Sequence, residues 1–255
     1  MSNIKRRLKD FSKGLIRKSF EIGQGLGFDV LPRHFYSEIP NIRELKNSNA
    51  WKAPYSMIGV RGKDIQGQLG FVAACCTPDI VERMQAENLL NSAAAMNGDM
   101  GFGPIEADFL FAFVATKKPK QIVQIGCGVS TALCLMAAEY ADYKPDIICI
   151  EPYPTDFLLE EAQKGRIRLI KKQVQSLDIS FMDEFGDDLL FFVDSSHTLG
   201  PAGEVSRIIL EMLPRLKPGA MVHFHDIWFP HDYEPTILES TLFFWHESVL
   251  LHAFL

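Results

Sequence analysis

The sequence predicts an α/β fold, a mainly parallel sheet covered on both faces and preceded by an N-terminal cap. Three observations carry this. The second half alternates short runs rich in Ile, Val and Phe with helical patterns, the rhythm of strands buried on both sides. One run, Gln121-Ile-Val-Gln-Ile125, passes through a Gly126-Cys-Gly128 turn into a helix opened by Ser130-Thr131. Polar residues follow directly on the later apolar runs, at the sheet edge where open α/β folds bind ligands. With 255 residues, 47% of them apolar, the chain can build one large core or one core plus a cap. The expected division is 1–95 for the helix and cap and 96–255 for the sheet domain.

Taken in order, residues 4–20 predict an amphipathic helix, because Ile4, Leu8, Phe11 and Leu15 recur at spacings of four, three and four. Residues 1–20 hold Lys5, Arg6, Arg7, Lys9, Lys13, Arg17 and Lys18 against Asp10, a net +6, so the rest of this −6 chain carries −12. The stripe suits packing on the body or on a second subunit of a homo-oligomer; the basic residues suit peripheral contact with an anionic membrane. The acidic remainder speaks against a nucleic-acid surface. No apolar run is long enough to span a bilayer, and the start lacks the apolar region of a secretory signal. Cys75, Cys76, Cys127, Cys134 and Cys149 form no CxxC pair, and their apolar neighbours suggest reduced thiols in a cytoplasmic protein.

Residues 23–70 are rich in Gly, Pro and Asn and read as a lid or binding loop, in which Arg33, His34 and Tyr36 either reach a substrate or tie the loop down. A helical pattern covers 74–95, followed by the flexible run Asn97-Gly-Asp-Met-Gly-Phe-Gly103. Pro104 opens a helix to about Thr116, which Pro119 stops. Strands are then expected at 121–125, 146–150, 167–170, 189–193 and 220–224, and helices at 130–140, 154–164, 201–213 and 237–254. The stretch 174–186 fits neither pattern.

Chemistry is expected at the carboxyl ends of the strands. Glycines at 126 and 128 let the backbone turn sharply and let a ligand approach, beside the free N–H groups of a helix start. Glu151, 25 residues after Gly126, stands at the distance where an acid accepts hydrogen bonds from a ribose diol. Thr131 replaces the third glycine of a dinucleotide site, which weighs against a nicotinamide-dependent oxidoreductase, and there is no GxxxxGK[ST] run for a triphosphate. An adenosine-bearing ligand without a pyrophosphate, such as S-adenosylmethionine, fits. Asp194, His197, His225 and Asp226 are expected to converge beside it, as ligands of a divalent metal or as a metal-free base.

The stretches His34–Pro40, Asn97–Gly103, Val123–Thr131, Ile150-Glu-Pro152, Phe192-Val-Asp-Ser-Ser-His197, Leu213–Gly219 and Val222-His-Phe-His-Asp226 together resemble the class I S-adenosylmethionine-dependent methyltransferases, specifically small-molecule O-methyltransferases of the methyltransferase-24 type. The resemblance implies a Rossmann-like doubly wound sheet of order 3-2-1-4-5. It places Gly101, Gln124, Gly126, Gly128, Ser130, Thr131, Glu151 and Gln175 at the S-adenosyl-L-methionine cofactor. Asp194, His197 and His225 become the catalytic group, and Asp194, His225 and Asp226 the ligands of Mg²⁺, Mn²⁺ or Fe²⁺. The acceptor is a hydroxyl of a sugar-like or natural-product-like small molecule. Two departures stand out. Gln124 occupies the place of an acid that pairs with the cofactor's ammonium, which leaves a non-catalytic or cofactor-impaired partner protein as the alternative. No residues follow for the family's closing antiparallel hairpin, so the expectation is a truncated chain or a sheet completed by a second subunit.

Overall fold

The computed structural model describes residues 2–34, 37–48, 50–231, 233–234, 236–238 and 242–255, with side chains from Gly14 onward. The chain divides into two compact units, one ending at Ser48 and one running from Asn49 to Leu255. In the first, α1 (Ser2–Gly25) is longer than the expected 4–20, and α2 (Ile42–Asn47) is capped by the Asn41 side chain. Leu15, Ile16 and Ile22 of α1 are exposed. In the loop between, Arg33 donates to the Pro40 carbonyl at 3.2 Å, and the His34 N–H to the Ser37 hydroxyl at 2.9 Å. Tyr36 lies outside the described residues.

The second unit begins with α3 (Ile65–Cys75), α4 (Pro78–Ala86), α5 (Leu89–Asn97) and α6 (Pro104–Lys117). The single helical pattern expected over 74–95 is therefore broken twice. Pro78 starts a new helix because it offers no N–H to the preceding turn, and Asn88 caps the next through the Asn91 N–H at 2.9 Å. Then come β1 (Gln121–Ile125), α7 (Val129–Tyr140), β2 (Asp146–Ile150), α8 (Asp156–Gln163), β3 (Arg168–Ile170), β4 (Leu189–Val193), α9 (Glu204–Arg207), β5 (Met221–Phe224) and α10 (Glu247–Phe254). The unassigned stretch 174–186 forms two 3-10 turns, Val174–Ser176 and Ile179–Glu184.

The five strands are parallel where they pair and run in the order β3-β2-β1-β4-β5, as expected. Side chains alternate between two cores. Ile122, Leu190 and Phe192 join the helices α5–α7 on one face, while Val123, Ile125, Leu189, Phe191 and Val193 join Met182, Phe185, Ile208 and Met212 on the other. The sheet is thus buried on both faces, and its carboxyl edge is where ligands can enter.

Two expected helices differ. Over 201–213, α9 widens into a π-helical turn, Ile208–Met212, and tightens into a 3-10 turn, Leu213–Arg215. Pro214 lacks an N–H and crowds the preceding turn, so the regular ladder cannot continue. Among the described residues of 237–254, only Glu247–Phe254 is helical. The His197 carbonyl accepts from His246 N at 3.1 Å and Glu247 N at 3.3 Å, so a tertiary tie claims the backbone donors where a longer helix would pass.

Candidate active site

The glycine turn is fixed by contacts that only glycine permits. Gly126 has φ +80°, and a Cβ there would stand 1.6 Å from the Asp194 carbonyl oxygen. A Cβ at Gly128 would meet the Asn97 amide at 3.0 Å. Beneath the turn, Gln124 is fully buried. Its amide donates to Ser130 Oγ at 3.1 Å and its carbonyl accepts from Thr131 Oγ1 at 2.8 Å, while the Gly128 N–H donates to Thr131 Oγ1 at 3.3 Å. Gln124 and Thr131 therefore brace the turn from below and do not line the cavity above it. Gln124→Ala is expected to lower stability by about 2 kcal/mol, because two buried hydroxyls lose their partner; thermal unfolding against the parent checks this.

That cavity has a volume of about 190 Å³. Its walls are the turn residues Gly126 to Ser130, the loop residues Asn97, Asp99, Gly101 and Phe102, and the carboxylates of Glu151 and Asp194. Glu151 accepts from Cys127 N at 3.2 Å and Tyr153 N at 2.9 Å, which holds its side chain at the rim. The Asn97 side chain accepts from Thr155 Oγ1 at 2.9 Å, tying the glycine-rich loop to the start of α8. Burial pushes the Cys127 thiol well above its usual range, so it stands in the wall as a neutral group. Gln175 lies apart from this cavity, with its amide 3.4 Å from Gln173.

The polar strand ends converge on one side. His197 is buried between carboxylates: Nδ1 lies 2.7 Å from Glu247 Oε2, and Nε2 lies 3.5 Å from Asp194 and 3.6 Å from Asp226. His225 has Nδ1 at 3.5 Å from a carboxylate oxygen of both Asp194 and Asp226, and Nε2 at 3.4 Å from Glu106. Its ring stacks on Phe102 at 4.6 Å, and behind it His223 stacks on Phe192 at 4.6 Å. Burial would raise the Asp194 carboxyl, but His197 and His225 hold it down at about 2. Burial would likewise lower both imidazoles; Asp194 and Glu247 instead raise His197 to about 9, and Asp194, Asp226 and Glu106 raise His225 to about 12. For His223, burial and the nearby His225 outweigh the pull of Asp194 and Glu106 and lower it to about 4. His197 and Asp226 both adopt positive φ, +59° and +54°, a left-handed conformation that Asp and His enter more readily than most residues.

Among the described residues, two trios bring ligand atoms within 4.8 Å of one another: Asp194, His197 and Asp226, and Glu106, His225 and Asp226. The expected trio of Asp194, His225 and Asp226 is not among these two, although His225 Nδ1 lies 3.5 Å from each aspartate; His197 Nε2 stands beside both as well. Glu106 and Glu247 escaped the sequence reading, which took in Asn97 and Asp99 only as members of the run 97–103. Glu106 was visible as an acid in the first turn after Pro104. Glu247 carried no signal at all.

Residues 123–227 match the family model described as a methyltransferase domain. An uncharacterized protein of Archaeoglobus fulgidus is 28% identical over 188 residues, covering 69% of this chain and 80% of that protein. Among solved structures, the S-adenosylhomocysteine-bound methyltransferase PaMTH1 of Podospora anserina is similar at 18% identity and a TM-score of 0.39, covering 59% of this chain and 70% of its own. The matched segment runs from within β1 to just past β5 and holds the glycine turn and the aspartates at 194 and 226.

Proposed function

We propose that the protein transfers a methyl group from S-adenosylmethionine to a hydroxyl of a small molecule. The single observation that carries this is the shared wall: Asp194 lines the cavity above the glycine turn and is also the hub of the carboxylate–imidazole group. The cavity fits the cofactor chemically. Glu151 at its rim suits a ribose diol, and the free N–H groups at the start of α7 suit a carboxylate. Asp99 supplies, in the same wall, the negative charge that Gln124 lacks. When bound, the cofactor supplies a sulfonium-borne methyl, so one O–C bond forms as one S–C bond breaks and the hydroxyl proton must be taken up. The protein's part is to align the hydroxyl and to receive that proton on a carboxylate oxygen of Asp194 or Asp226, because His197, held at about 9, already carries its own.

The same group fits a divalent cation, with carboxylate oxygens and an imidazole whose far nitrogen is oriented by Glu247. Asp194, His197 and Asp226 would hold it, and it would lower the pKa of a bound hydroxyl. Calorimetric titration with S-adenosylhomocysteine tests the cofactor reading without any acceptor. Measurable binding is expected, weakened about tenfold or more by Glu151→Ala, the loss of a charge-assisted hydrogen bond. Absence of heat with the parent protein would favour the non-catalytic partner instead.

A further inference from the structure

A second cavity, about 130 Å³ in volume, opens on the other side of His197. We infer that it is the acceptor subsite and that it takes a single hydroxylated ring carrying an ammonium group. This rests on the methyltransferase reading and gives its acceptor a chemical class.

Size sets the first limit. A cavity of about 150 Å³ holds one benzene ring, so 130 Å³ suits one ring and not a polyketide-sized body. Its walls supply the second limit. Trp228, Tyr233, Phe243 and Trp245 are aromatic, and Trp245 also stacks against His197 at 4.6 Å. Aromatic faces of this kind pack against a flat ring and attract a cation.

Charge supplies the third. Asp226, Glu234 and Glu247 line the cavity, and among the described lining residues there is neither Lys nor Arg. Glu247 is only 1% exposed; one carboxylate oxygen holds His197, and the other, Oε1, is buried with no hydrogen-bond partner. A buried, unmatched carboxylate oxygen asks for a donor. An ammonium group meets that need and the aromatic walls together. A phosphate or carboxylate on the acceptor would face three carboxylates against the single cation of His197. Position supplies the link to the donor: His197 lines this cavity and lies 3.5 Å from Asp194, which lines the donor cavity.

The test uses tryptophan fluorescence of the full chain carrying Trp51→Phe, so that only Trp228 and Trp245 report. Glucosamine, N-acetylglucosamine and glucuronic acid are titrated in the presence of S-adenosylhomocysteine; they share a hydroxylated ring and differ in charge. Glucosamine is expected to quench at a concentration about tenfold lower than its N-acetyl form, the effect of one cation on aromatic and acidic walls. Glu234→Gln is expected to narrow that gap. Equal binding of the neutral ring, tighter binding of glucuronic acid, or no quenching by any of the three overturns the inference. Calorimetry with S-adenosylhomocysteine on the same preparation keeps the two readings apart: if it binds while the amine shows no advantage, the acceptor assignment alone falls.

Discussion

Asp194→Ala is expected to lower kcat by about a thousandfold or more while S-adenosylhomocysteine still binds within a few-fold of the parent. Asp194 is the one side chain that reaches both imidazoles and borders the donor cavity. Removing it leaves His197 and His225 sharing only Asp226, which does not border the donor cavity, so the acceptor hydroxyl loses its alignment and its route for the proton. The donor's grip lies elsewhere, in the glycine turn and Glu151, and should persist. Methyl transfer to any acceptor that the parent uses, measured beside calorimetry, separates the two effects. Intact turnover would remove the assigned centre.

Gly126→Ala is the second large effect. The added methyl would overlap the Asp194 carbonyl, and φ of +80° is unfavourable for alanine in its own right. The combined cost is about 4 kcal/mol or more, which for a unit of this size lowers the melting temperature by about 8 °C or more. Gly14→Ala is the contrasting control. Gly14 lies inside α1 with nothing within 4 Å of the added carbon, so that change should stabilise the helix by about 1 kcal/mol. Thermal melts of the two variants, read side by side, distinguish overlap at the turn from a general response to glycine replacement.

The sheet was legible because β1, β2 and β4 are short Ile, Val and Phe runs between turn residues, and such runs have few other uses. Gly126, Gly128, Glu151, Asp194 and Asp226 were legible because strand ends are where open sheets bind. Their spacing along the chain maps onto neighbouring strands. What failed was whatever depends on contacts distant in sequence. An apolar stripe through 237–254 reads as one helix, yet the His197 carbonyl takes the backbone donors at 246 and 247 and delays its start. That same tie brings Glu247 against His197 across 50 residues, a pairing no local pattern announces. Gln124 reads as a substitute for a cofactor-facing acid. Its two hydrogen bonds to Ser130 and Thr131 turn it inward, and only the fold shows that direction.

The Asp194 carbonyl rests in the space that a side chain at residue 126 would fill. The bend that would cradle the methyl donor and the acid that would greet its recipient are therefore riveted together through the main chain. Neither can be retuned alone: a redesign that reshapes the cradle for a bulkier donor displaces the acid with it. Successful re-engineering would have to alter both strand ends in one step.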